Sequence, residues 1–241
     1  MVAALLREME CNNLTIIGTS HIAKESLEEV EKAIEEKSPD IIAIELDKNR
    51  LYGLFKKPGK IRFHDIKRVG FKGFIFSIIG AWAEKKLGSM VGVTPGSEMK
   101  RAVILAKEKN IKIALIDQDI EITLKRFSKS LTWREKWNFI ADIFKGFFGR
   151  KTDLGFEFDL SKVPSKKVIK QLIEKVRQRY PNIYRVLIEE RNVVMAENLK
   201  RIMSRHPDKK ILAIIGAGHE EEILQLIKKI DTSYSFSISY K

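Results

Sequence analysis

Residues 14–21 read LTIIGTSH and residues 211–219 read ILAIIGAGH. Each is a short, β-branched apolar run, then a glycine, then a histidine three positions further on. Runs of this length, closed by Gly, predict buried strands. Apolar positions at Leu27, Val30, Ala33 and Ile34 then predict a helix over 24–37 after the first run. A closing helix over 220–230 is expected after the second. Gly18 and Gly216 are the expected structural turns, where the chain must bend or let another group come close. Two strand–Gly-x-x-His–helix units in a chain with four histidines are the mark of a repeated local design.

Working outward, Ser38-Pro39-Asp40 stops the first helix, and 41–46 (IIAIEL) predicts a second strand. Strand, helix and strand with short links read as a βαβ unit, hence a parallel pair. Residues 111–117 (IKIALID) predict another strand. Residues 234–240 (YSFSISY) alternate as an edge strand does. Between these, 50–110, 120–149 and 166–205 carry helical patterns, interrupted at Lys57-Pro58-Gly59, Thr94-Pro95-Gly96 and Pro181. The expected architecture is α/β: one domain over 1–241, with a central, mostly parallel sheet flanked by helices. Helical insertions are expected at about 51–110 and 125–205.

Composition narrows the class. The chain has 241 residues, 44% of them hydrophobic and 32% charged, enough to bury a core and too apolar for a disordered chain. Cys11 is the one cysteine, which excludes an internal disulfide framework and any cysteine-based zinc site. A reduced, cytoplasmic setting fits that usage. No apolar run reaches the roughly 18 residues that a membrane span needs. The net charge is +13 and uneven. Residues 1–50 carry 6 basic and 11 acidic side chains, whereas 51–150 carry 21 and 9. A basic middle can attract nucleic acid or anionic lipid. No zinc-finger, RNA-recognition or helix-turn-helix pattern accompanies it, so no specific nucleic-acid partner is expected.

In an open parallel sheet, ligands bind beyond the carboxyl ends of the strands. If the two Gly-x-x-His strands are parallel neighbours, His21 and His219 converge there. Glu45 is the only charge within IIAIEL, near that strand's carboxyl end. A lone carboxylate in a doubly buried strand calls for a partner. Two imidazoles and a carboxylate form a first shell suited to a catalytic divalent metal. Glu45 is alternatively the general base. The competing reading is a structural hydrogen-bond network in which Glu45 holds the two imidazoles at helix starts.

Supporting charges lie nearby in the pattern. Asp117 closes IKIALID, again at a carboxyl end, and is expected to line the same crevice and contact substrate; Arg126 follows in the next helix. Glu190 and Arg191 sit in a helical stretch among Val186, Leu187, Val193 and Val194. A fixed guanidinium can hold a substrate carboxylate or a developing oxyanion, and Arg191 is preferred to Arg126 for that role. The alternative is an ordinary ion pair of Arg191 with Asp117 or Glu98. Glu98, in the first turn of a helix, complements the helix dipole. Trp133, Trp137, Ile140, Phe144 and Phe147 fall roughly along one helical face. Such a stripe is most often core; if exposed together with 71–82, it marks a homodimer contact or docking to a membrane surface.

At these motifs the chain resembles the TraB/PrgY family, particularly its archaeal members, a family that includes pheromone-shutdown proteins and is related to the Tiki metalloproteases. More distantly it resembles the erythromycin-esterase (EreA) and ChaN-like group. The matching pieces are GTSH (18–21), IELDKNR (44–50), PGSEM (95–99), IDQDIEITLKR (116–126), EERN (189–192) and IIGAGH (214–219). The resemblance implies an α/β sandwich around a mostly parallel sheet. Through the Tiki-like members it also implies metal-dependent hydrolysis of a peptide or protein substrate. Carried over, that site falls on His21, His219 and Glu45, with manganese or cobalt as the favoured metal and zinc as the other candidate. Pheromone shutdown by sequestration implies the rival, a non-catalytic peptide- or partner-binding regulator. Archaeal relatives commonly continue into C-terminal transmembrane helices, which implies membrane association for a chain that does so. Asn192 and Gln118 stand where family members often carry Asp and Arg, so no carboxylate acts at position 192 in this chain.

Overall fold

The computed structural model describes residues 9–19, 24–56, 96–135, 137–138, 141 and 166–238. Five strands form one sheet: β1 (Met9–Cys11), β2 (Leu14–Thr19), β3 (Ile41–Ile44), β4 (Lys112–Leu115) and β5 (Ile211–Gly216). Their spatial order is β1-β2-β5-β3-β4. β2, β5, β3 and β4 run parallel, and β1 pairs antiparallel with β2. The helices are α1 (Lys24–Lys37), α2 (Lys48–Phe55), α3 (Ser97–Glu108), α4 (Ile120–Ser130), α5 (Lys166–Arg179) and α6 (Pro181–Tyr184). A π-helical turn over Arg185–Glu189 leads from α6 into α7 (Glu190–Arg205), and α8 (Glu220–Ile238) follows β5.

Strand parity sorts the apolar side chains into two layers. Ile16, Ile41, Ala43, Ile211, Ala213 and Ile215 pack on one face against Met195 and Leu199 of α7 and Ile223 and Ile227 of α8. Ile17, Ile42, Ile44, Leu212 and Ile214 pack on the other against Val30 and Ile34 of α1 and Met99, Ala102 and Leu105 of α3. Central strands covered on both faces read as unbroken apolar runs because neither parity meets water. The mostly parallel sheet with flanking helices is the expected α/β class.

Three expectations need correction. β2 and β3 are parallel but not paired: β5 lies between them, hydrogen-bonded to both. A βαβ pattern fixes direction, not adjacency, and a later strand filled the gap. The alternating segment from Tyr234 is not a strand; α8 continues to Ile238. Extending an existing helix adds a hydrogen bond per residue fixed, whereas a new strand needs a partner edge. β1 was not anticipated, because three residues before a tight turn carry little pattern. Asn12 makes that turn with a positive φ of 53°.

The described parts of the two expected insertions are helical, and Pro181 opens α6. Phe127, Tyr180, Ile183 and Val186 form a smaller cluster there. The aromatic stripe departs from the core expectation: Trp133 is 74% exposed and Trp137 66%. The side chains of Ile140, Phe144 and Phe147, and all of 71–82, lie outside the described residues. No described helix is long and apolar enough to cross a membrane.

Candidate functional site

The carboxyl ends of β2, β5, β3 and β4 lie on one edge, because all four strands point the same way. Glu45 follows β3 directly. Its parity matches Ile41 and Ala43, so it belongs to the layer that faces α7. β2 and β5 are direct neighbours, in register from Leu14↔Ile211 to Thr19↔Gly216. β2 and β5 therefore reach the carboxyl edge of the sheet side by side. His219 and Glu45 are both buried. His21 lies outside the described residues.

Both carboxylate oxygens of Glu45 are held. Oε2 accepts from the Gly216 backbone N–H at 2.6 Å. Oε1 accepts from Arg191 at 2.5 Å and lies 3.5 Å from His219 Nε2. Arg191, at the start of α7, also donates to Asp117 through Nε at 3.0 Å and through a terminal nitrogen at 2.6 Å. Its other terminal nitrogen donates to the Leu187 carbonyl, inside the π-helical turn, at 3.0 Å. Burial alone pushes the Arg191 guanidinium toward its neutral form. The Asp117 bond and the Glu45 charge outweigh burial and hold it above the ordinary guanidinium range. Asp117 also meets Arg50, which in turn bonds Asp47, the N-cap of α2, at 2.6 Å.

The tautomer of His219 follows from its neighbours. Asn192 Nδ2 donates to Glu222 Oε2 at 2.8 Å, so the amide turns Oδ1 toward His219 Nδ1, 2.5 Å away. A carbonyl oxygen only accepts, which places a proton on Nδ1 and turns Nε2 toward Glu45. Across the 3.5 Å separation, Nε2 either donates to the Glu45 carboxylate when the ring is protonated or, when the ring is neutral, shares a cation with it. Two ligands on one tetrahedral metal, each about 2.1 Å away, stand about 3.4 Å apart. The donor set therefore fits two positions of a metal shell. Among the described residues, the carboxylates Glu45, Asp47 and Asp117 share the guanidiniums of Arg50 and Arg191 in this cluster. Among the described residues no group of three or more His, Cys, Asp or Glu can hold a metal.

The other expected residues separate. Glu190 pairs with Arg126 at 3.0 Å and approaches Arg185 at 3.9 Å. Arg126 is more than half exposed there. Glu98 is buried in the first turn of α3, next to the core residue Met99. Gly18 makes room rather than a bend: a Cβ there would collide with the Glu220 side chain and crowd Ala217 Cα at 3.1 Å. Gly216 serves through its N–H to Glu45. Gly218 is close to Ile173, so α5 packs beside the His219 turn.

Asn192, Glu222, Asp47 and Arg50 complete the cluster without having been singled out as site residues. Asn192 sits inside an amphipathic helix, and Glu222 in an acidic run, where a polar side chain ordinarily means solvent. The signal available was the i, i+3 pair Asp47 and Arg50 at a helix start.

With this geometry in hand, comparison with known proteins places the chain. The TraB/PrgY/gumN family model matches residues 5–232. A protein of Methanocaldococcus jannaschii described as uncharacterized is 36% identical over 226 residues, covering 92% of this chain and 55% of its own. TraB domain-containing proteins of Mus musculus and Homo sapiens are 22% and 21% identical, each over 85% of this chain and 60% of their own. The chain thus spans a little over half the length of the relatives it matches. By the extent of the family match and by the archaeal relative, this chain belongs to the TraB/PrgY/gumN family.

Proposed function

We propose that the carboxyl edge of the sheet is a hydrolytic centre that uses a divalent metal and acts on peptide bonds. The observation that carries this is the approach of His219 Nε2 to Glu45 Oε1, each held from behind by protein groups. Glu45 and His219 would hold the metal, with His21, two residues beyond β2 in the sequence, completing the set. The metal supplies Lewis acidity and a water of lowered pKa. Asn192 fixes the ring of His219 with Nε2 facing inward, and Glu222 fixes Asn192. Arg191 positions Glu45 and Asp117, and its bonds to them leave it a holder of the site rather than a first contact of substrate. The peptide preference rests on the family resemblance; the favoured metals are manganese or cobalt, then zinc.

The test is cleavage of a mixed peptide library by chelated protein reloaded with manganese, cobalt or zinc, followed by mass spectrometry. Metal-dependent products that disappear in both Glu45→Gln and His219→Ala support the reading. Cleavage that persists undiminished in both variants contradicts it.

A second reading is favoured by one observation, the exposure of Trp133 and Trp137. In it the chain captures a peptide or partner at that face, or docks on a membrane or a second copy, and turns nothing over. Peptide or vesicle binding that survives His219→Ala but is lost in Trp133→Ala with Trp137→Ala would favour it.

A further inference from the structure

Arg50 is gripped along one edge of its guanidinium and open along another. It lies in the first turn of α2, whose N-cap is Asp47. Asp47 Oδ1 accepts from the Arg50 backbone N–H at 3.1 Å, and Oδ2 accepts from Arg50 Nε at 2.6 Å. Nη2, on the same edge as Nε, donates to Asp117 Oδ2. Nε and Nη2 make one donor fork of a guanidinium, and the two terminal nitrogens make a second. Among the described residues no hydrogen bond engages Nη1 of Arg50.

The contrast with Arg191 is direct. All three nitrogens of Arg191 donate to protein oxygens, and its side chain is 14% exposed. The Arg50 side chain is 30% exposed, although both of its carboxylate partners are buried. Two buried carboxylates thus fix the inner edge of a guanidinium that still meets solvent. α2 contains no buried residue, so Arg50 stands at the rim of the cluster rather than in the core. Asp117 joins Arg50 to Arg191, and Arg191 joins Asp117 to Glu45. Arg50 therefore shares the carboxyl edge of the sheet with the proposed metal ligands.

We infer that Arg50 anchors substrate by taking a peptide carboxylate on the fork that Asp47 and Asp117 leave open, an assignment that rests on the hydrolytic reading of this site. A guanidinium fork matches the two oxygens of a carboxylate. Its two protein partners place it beforehand, so little side-chain freedom is lost on pairing. Arg191 keeps the site together, and Arg50 selects what enters it. A peptide offers such a carboxylate at its chain end or on an acidic side chain.

The test is titration of the full chain, chelated so that nothing is cleaved, followed by amide NMR shifts. The probes are N-acetyl-dialanine with a free carboxylate, its C-terminal amide, and N-acetyl-aspartyl-alanine amide. Saturable binding of a carboxylate probe is expected, at least about tenfold tighter than binding of the uncharged amide. Arg50→Gln should weaken it at least about tenfold, and Arg50→Lys should restore only part, because an ammonium has no fork. Arg201→Ala, on α7, serves as the control and should change little. Preference for the free chain end over the aspartyl probe identifies the terminus as the source; the reverse identifies an acidic side chain. No saturable binding of either carboxylate probe, equal binding of acid and amide, or native-like binding in both Arg50 variants overturns the inference. The comparison of acid with amide uses the native chain, so it holds even if Arg50→Gln fails to fold. Metal counts on the same proteins separate the two claims. The Arg50 variants should retain metal as the native chain does, and loss confined to them would make Arg50 a holder of the metal site and overturn the inference. Failure of the native chain itself to retain metal counts against the hydrolytic reading alone.

Discussion

Arg191 donates to Glu45 and Asp117 from one guanidinium, so Arg191→Met would leave both buried carboxylates without their shared cation. Breaking a buried pair on one side costs about 3–5 kcal/mol, and urea unfolding should show a loss of that size. Arg191→Lys restores the charge but not the fork and should recover only part of it. Asn192→Leu acts on the other side of the site. It frees the His219 ring, and metal affinity should fall by about 10–100-fold while the fold persists. Glu45, His219 and Asp117 were legible in the sequence because each interrupts or closes an apolar run, where a polar group has no solvent to explain it. Asn192, Glu222 and Arg50 were not. Their neighbours alternate with polar residues, and only the packing of α7 and α8 on the sheet shows that Asn192 is fully buried.

At the scale of elements, the layer between the sheet and α7 rests on side chains such as Leu199, which is completely buried. Leu199→Ala should destabilise by about 2–5 kcal/mol, the range for emptying a packed aliphatic site. The junction before α6 gives a pH prediction. Burial raises the Glu135 carboxyl, but the bonds from Asn182 and Thr132 outweigh burial and hold it below the ordinary range. A carboxylate depressed in the folded state contributes stability in full above its unfolded pKa of about 4.3. That contribution is lost as pH falls through the lower folded-state value. Acid unfolding of Glu135→Gln should therefore be flatter below about pH 4.3 than that of the native chain, with a lower plateau above it. The helix Lys24–Lys37 and the strand Ile211–Gly216 could be read to the residue, since apolar spacing and a closing Gly or Pro mark both their type and their ends. The adjacency of β2 and β3 could not, because strand order depends on where a distant segment inserts.

At the scale of the whole molecule the charge is uneven along the chain, acidic over 1–50 and basic over 51–150. Among the described residues, Glu45, Asp47 and Asp117 meet Arg50 and Arg191 at the carboxyl edge, in a chain whose net charge is +13. The proposed reading makes this edge of the sheet the place where a divalent metal is held. The most direct measurement is metal content by mass spectrometry. Native chain and His219→Ala are each chelated, reloaded with manganese, cobalt or zinc, and desalted before counting. About one metal retained per native chain, and its loss in the variant, is the expected result. No retained metal in the native chain under any loading, or equal retention in both proteins, would contradict it, leaving Glu45, Arg191 and His219 as a structural network.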